Sequence, residues 1–261
     1  ERCRRLQPIG HYMTPETILF LIRGGMAGGF INGFAGTGTA LFALGFYLSV
    51  LDPVTAVAIV ALISTLTGLQ GVYVVRREVM ANKPRLLRFL LPGLLGVPIG
   101  ISLLSYVDAS TLRLIVAGFL IFYGGYFGFR KALPHFERRT PKTDLSVGLI
   151  GGILGGLASL SGALPAIWLS MRPWPKGETR AVLQPYNVVI LGTTVLMLAL
   201  NGAFTRQTWL AFAIAFPAGL LAVQIGIFAF HRVTDDQFRR TLIILCLAMG
   251  LGILARDLGL F

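Results

Sequence analysis

The sequence predicts an all-α polytopic membrane protein of two inverted repeats, each a broken or re-entrant segment followed by three transmembrane helices. Three observations predict it. The chain is too apolar to cover itself with polar surface, its two halves repeat one pattern, and clusters of glycine interrupt the first apolar run of each half.

The apolar character comes first. Of 261 residues, 55% are hydrophobic and 13% are charged, with a mean hydropathy of +0.75, whereas a soluble domain carries about 25% charged residues. Uncharged runs cover residues 24–51, 54–75, 89–107, 114–129, 145–171, 181–205, 207–230 and 241–255. Several reach the roughly 20 residues that carry a helix across a bilayer core. The shorter ones are flanked by Arg113, Arg239 and Arg240, whose long stems can snorkel to the interface. Eight membrane segments in one membrane domain, 1–261, are expected, and the chain reads as multi-pass. It opens Glu1-Arg2-Cys3-Arg4-Arg5 without a Met, so a trimmed start is expected, and no cleavable signal is visible before Thr14.

The repeat comes second. Pro98-Ile99-Gly100-Ile101 returns as Gln224-Ile225-Gly226-Ile227 at an offset of 126, which also relates Gly93 to Gly219, Arg113 to Arg239 and Gly124 to Gly250. Near the start of each half, the stretch from Gly29 to Gly38 parallels that from Gly152 to Ser161 at an offset of 123. These matches set a first repeat over 16–129, a basic linker over 130–144 and a second repeat over 145–258.

Charge decides how the repeats are oriented. There are 23 Lys and Arg against 11 Asp and Glu, a net charge of +12. In a soluble protein that excess suggests nucleic acid; here it crowds into the gaps between apolar runs, reads as topology and attraction to anionic lipid, and no nucleic acid is expected. Residues 76–88 hold five basic residues, residues 130–144 another five, Arg172, Lys176 and Arg180 fill the next gap, and Arg232, Arg239 and Arg240 surround the last. Strict alternation of eight crossings puts two of these gaps outside. If residues 145–171 instead enter and return on one side, every basic gap falls in the cytoplasm and the halves become inverted.

The third observation supports that return. Gly151, Gly152, Gly155, Gly156, Ser159, Ser161, Gly162 and Pro165 concentrate helix-breaking residues in the second half, and Gly24, Gly25, Gly28, Gly29, Gly33, Gly36 and Gly38 do so in the first. Glycines also let membrane helices pack closely. Gly36-Thr37-Gly38-Thr39 and Ser159-Leu160-Ser161-Gly162 fit interrupted helices better, since broken backbone at membrane depth is tolerated where protein or a wet cavity satisfies it.

An interrupted helix exposes backbone N–H groups at a new N-terminus and so can hold an anion without a basic side chain. Gly36, Thr37, Gly38 and Thr39 in the first half and Ser159, Ser161 and Gly162 in the second are therefore the candidate substrate-binding breaks. Gln184 and Asn187 lie one turn apart with Pro185 between them, and Asn32 is comparable in the first half; carboxamides are costly to leave unpaired in hydrocarbon. Ser64, Thr65, Thr67, Gln70, Thr193 and Thr194 are further polar residues, although most Ser and Thr in membrane helices bond the preceding turn. No Asp or Glu occupies the middle of an apolar run, which disfavours a buried carboxylate as proton carrier. Trp168, Trp174 and Trp209 read as interfacial anchors. The sequence has two cysteines and three histidines without ligand-like spacing, no nucleophile beside a base and no phosphate loop, so no metal, no cofactor and no enzyme activity are expected.

With these residues in view, the chain resembles the sulfite exporter TauE/SafE family across roughly residues 21–255. Gly29-Phe30-Ile31-Asn32-Gly33-Phe34-Ala35-Gly36-Thr37-Gly38, followed by Asp52-Pro53, looks like the family's glycine-rich entry motif. The stretch from Trp174 to Asn187, which includes Trp174-Pro175-Lys176-Gly177-Glu178 and Gln184-Pro185-Tyr186-Asn187, resembles a pattern common in one branch. The resemblance implies export of sulfite, sulfoacetate or related sulfonates across the bacterial inner membrane, and transport by alternating access is the expected mechanism. The expected partners are a small anionic substrate and membrane lipid, with a homodimer left open. A membrane scaffold or accessory subunit, whose small-residue faces are partner interfaces, and an anion channel are the competing readings.

Overall fold

Backbone in hydrocarbon must satisfy its own hydrogen bonds, so long uncharged runs become helices. The computed structural model describes residues 14–35, 38–74, 76–129, 140–172, 174, 176–233 and 235–258. Among them the elements are α1 (Pro15–Ala35), α2 (Thr39–Tyr47), α3 (Pro53–Val74), α4 (Arg76–Ala81), α5 (Lys83–Leu104), α6 (Ala109–Phe129), α7 (Pro141–Ala158), α8 (Ala163–Ser170), α9 (Lys176–Leu200), α10 (Arg206–Arg232) and α11 (Asp235–Asp257), with no strand. Five are long and apolar enough to cross a membrane: Pro15–Phe34, Pro53–Tyr73, Lys83–Leu104, Ala181–Leu200 and Arg206–Ala229. α6 and α11 contribute the shorter apolar stretches Ala109–Phe122 and Ile244–Ala255. Loop carboxylates start two of these helices: Asp52 accepts from the Thr55 N–H at 3.0 Å, and Asp108 from the Thr111 N–H at 3.2 Å. The Thr111 hydrogen bonds hold the exposed Asp108 carboxyl below its ordinary range.

The first apolar run of each half doubles back on itself. A Cβ at Gly24 would meet Tyr47 and Phe46, and one at Gly28 would meet Ala43 and Thr39, so α2 runs antiparallel to α1. In the second half Gly151 faces Pro165 and Gly155 faces Ser161, while the Trp168 indole donates to Asp144 at 2.8 Å, so α8 returns along α7 to its starting level. The breaks fall at the clusters expected. α7 begins at Pro141, so Lys142 and Asp144 of the expected 130–144 linker belong to its first turn; residues 130–139 lie outside the described residues.

Each hairpin docks on the opposite half. Gly25, Gly29 and Gly33 of α1 lie against Ala215, Gly219 and Val223 of α10, and Gly148, Gly152 and Gly156 of α7 against Phe89, Gly93 and Val97 of α5. Both pairs are parallel and bring backbone onto backbone, the small-residue packing that membrane helices use without a hydrophobic driving force. The two offsets in the sequence acquire a meaning here. Adding 123 carries the hairpin glycines of one pair to those of the other, and subtracting 126 carries their docking partners likewise. The remaining helices pair across the halves in antiparallel fashion. Gly71 of α3 faces Gln184 of α9 while Gly68 faces Val188, and Gly124 of α6 faces Leu247 of α11 while Gly250 faces Leu120. Outward faces are apolar: Leu91, Leu95, Ile99 and Leu103 of α5, and Leu221, Ile225 and Phe228 of α10, are all exposed, as lipid contact requires.

Candidate functional site

The two turns are built by different local means. Gly38 sits at φ 99°, a left-handed conformation that glycine adopts at little steric cost, and precedes α2 without a side-chain cap. Ser159, at φ 55°, is the non-glycine residue with positive φ among the described residues. It is held there because its N–H bonds the Gly155 carbonyl at 2.9 Å and the Leu160 N–H reaches back to Leu154 at 3.1 Å. α8 then starts after Gly162, again without a side-chain cap, and Pro165 in its first turn brings no N–H. Helix starts leave backbone donors unsatisfied and carry partial positive charge. Both starts open onto one cavity of about 70 Å³ between the halves, lined by Gly38, Thr39, Ala40, Leu41 and Phe42 on one side and Ser159, Leu160, Gly162, Ala163 and Ala166 on the other. Ile31 and Asn32 of α1, Ser64 and Gly68 of α3, Gln184, Asn187, Val188 and Leu191 of α9, and Cys246 of α11 complete the lining.

Of the residues singled out in the sequence, Asn32, Gly38, Thr39, Ser159, Gly162, Gln184 and Asn187 come together in this cavity. Ser161 stands just behind it, fully buried, and donates to the Asn187 carboxamide oxygen at 2.6 Å, which leaves the Asn187 amino group, packed over Gly162, as the donor. Asn32 donates at 2.8 Å to Thr67, whose hydroxyl is itself given to the Ile63 carbonyl, so this carboxamide ties α1 to α3. Gly36, Thr37 and the Gln70 side chain lie outside the described residues.

The hydroxyls divide into spent and available ones. Thr65, Thr67, Thr193 and Thr194 bond the carbonyl four residues earlier. Ser64 does not: its Oγ is buried and makes no hydrogen bond among the described residues. Thr39 is 5% exposed, turns its methyl toward Gly28, lines the cavity and likewise has no hydrogen-bond partner among the described residues. Ser159 departs from its expected role. Its hydroxyl donates at 3.0 Å to the Val57 carbonyl in α3, joining the second turn to the other half instead of standing free as a donor. Gly68 and Cys246 were not singled out; Gly68 and Gly71, three apart, were the legible sign of a close α3 and α9 contact.

A packed layer closes the cavity on one side. Residues 56–60 of α3 are fully buried and belong to one apolar core with Leu160, Ile190 and Leu198, all 3% exposed or less. Beyond it a polar recess of about 510 Å³ is lined by Asp52, Thr55, Ser105, Asn201, Thr205 and Gln207 with apolar neighbours. The recess exists because α2 stops beside Gly24, nine residues into α1, so the 48–52 connection sits roughly 13 Å below the start of α1. The opposite end carries the basic clusters that follow α3 and α8. There Arg85 pairs with Glu178 and stacks on Trp174, 4.5 Å from the ring centroid. At the base of the second hairpin buried Arg172 contacts Asp144 at 3.3 Å, bonds Thr140, and lies over Trp168. Trp168 and Trp174 thus hold ion pairs rather than acting only as interfacial anchors, whereas Trp209 is half exposed. Among the described residues no charged side chain lines the cavity.

A curated relative from Cupriavidus necator, described as a probable sulfite/organosulfonate exporter TauE, is 28% identical over 133 residues, covering 50% of this chain and 52% of that protein. The match thus spans about half the length of the curated relative. The family described as sulfite exporter TauE/SafE matches residues 21–253, nearly the whole described chain, and includes both hairpins and every helix that lines the cavity. The chain is a member of the TauE/SafE family of sulfite exporters.

Proposed function

We propose that this protein is an inverted-repeat secondary transporter that exports sulfite or an organosulfonate across the bacterial inner membrane by alternating access. The observation that carries the reading is the convergence of two uncapped helix starts, with the free hydroxyls of Thr39 and Ser64 and the Asn187 amide, on one cavity between the halves. Such a cluster of neutral donors suits an anion that must shed water. Each half would contribute a re-entrant hairpin and three crossings, an odd number, so equivalent helices run in opposite directions. The antiparallel α3 and α9, and α6 and α11, support this. So does charge: with this topology the basic gaps around residues 76–88, 130–144, 172–180 and 232–240 share the cytoplasmic side, while Asp52, Asp108, Arg113 and Arg206 lie toward the other. The recess on that outer side, divided from the cavity by the packed layer, supports exit by rearrangement of that layer.

Efflux of radiolabelled sulfite from proteoliposomes tests the reading. Saturable flux that falls about tenfold or more in Thr39→Val and Ser64→Ala, with melting temperature in detergent held near that of the parent, is expected; a tenfold loss corresponds to about 1.4 kcal/mol, the scale of one lost donor. Absence of substrate-dependent flux would identify a scaffold, and conductance without saturation a channel.

A further inference from the structure

We infer that the cavity accepts singly charged oxyanions and rejects doubly charged ones, so that sulfite is carried as hydrogen sulfite. This rests on the proposed transport reading and narrows its substrate.

Among the described residues the lining contains no Lys, Arg, His, Asp or Glu, and its one titratable side chain is the Cys246 thiol. What stabilises an anion there is a limited set of neutral dipoles: the starts of α2 and α8, the hydroxyls of Thr39 and Ser64, and the Asn187 amino group. Other polar groups around it are already committed, with Ser159 on Val57, Ser161 on Asn187, and the Asn32 amide on Thr67. Doubling the charge of an ion doubles its attraction to fixed dipoles but quadruples the Born cost of leaving water. A site with a cationic side chain offsets that difference. This one has dipoles only, in a small cavity walled by Ile31, Leu41, Phe42, Leu160, Val188 and Leu191. The second dissociation of sulfurous acid lies near neutral pH, so the two charge states of sulfite are both available to choose between. A simple sulfonate such as methanesulfonate keeps a single charge throughout, and sulfate keeps two.

The test is efflux from proteoliposomes of sulfite, methanesulfonate and sulfate, each at equal total concentration, on the acidic and alkaline sides of neutrality. Methanesulfonate flux independent of pH, sulfite flux falling with rising pH in proportion to hydrogen sulfite, and sulfate flux at least about tenfold slower are expected, a factor equal to about 1.4 kcal/mol. Thermal stabilisation in detergent by methanesulfonate but not by sulfate gives the same comparison as binding alone. Sulfate flux equal to that of methanesulfonate, or sulfite flux unchanged by pH, overturns the inference and leaves the transport reading standing. No flux of any of the three overturns both.

Discussion

Replacing Gly152 by alanine tests the docking that holds the second hairpin in place. A Cβ built on Gly152 would fall 2.6 Å from the Gly93 carbonyl carbon and 2.7 Å from its Cα, both backbone atoms that no rotamer change can move away. The Gly93 carbonyl oxygen lies nearer still, so to restore ordinary contact near 3.4 Å α7 and α5 must part by more than about 0.8 Å at that level, along an interface that also includes Gly148, Gly156, Gly96 and Gly100. Parting two packed helices loses dispersion contacts along the whole seam, and overpacking of this kind costs about 1–3 kcal/mol. Gly118 provides the control, since a Cβ there meets nothing within 4 Å and its helix gains propensity of about 1 kcal/mol from alanine. Thermal unfolding in detergent should therefore place Gly152→Ala well below the parent and Gly118→Ala at or above it. Gly29→Ala, whose Cβ would lie 2.9 Å from the carbonyl carbon and Cα of Gly219, should behave like Gly152→Ala. If Gly152→Ala melts with Gly118→Ala, backbone contact between hairpin and α5 does not hold this fold.

Three further outcomes follow from the same contacts. Asp144→Ala leaves Arg172, 7% exposed, without its carboxylate, and should destabilise by about 3–5 kcal/mol in denaturation measurements. Glu178→Ala breaks a pair that is more than a third exposed on each side and should change stability by less than about 1 kcal/mol, with any effect diminishing in salt. Ser159→Ala should cost about 1 kcal/mol through the lost bond to Val57, while Ser159→Gly should be about 1 kcal/mol more stable than Ser159→Ala, because glycine adopts the positive φ without strain. Differential scanning of the two purified variants side by side checks the order.

What the sequence determined by itself was local or periodic. Uncharged runs announced membrane helices, the offsets of 123 and 126 were the ground for expecting two repeats, and the clusters at Gly36-Thr37-Gly38-Thr39 and Ser159-Leu160-Ser161-Gly162 announced where two of the apolar runs break. These properties are legible because hydropathy, glycine content and repeat spacing need no knowledge of what lies across a gap. The tertiary structure decided the partners: α1 docks on α10 and α7 on α5, so two offsets coexist. It also decided which hydroxyls are free, because a hydrogen bond is settled by a neighbour in space. Ser159 gives its proton to Val57, 102 residues away, and leaves the donor set; Ser64 forgoes the bond that Thr65 and Thr67 make to the preceding turn, and joins it.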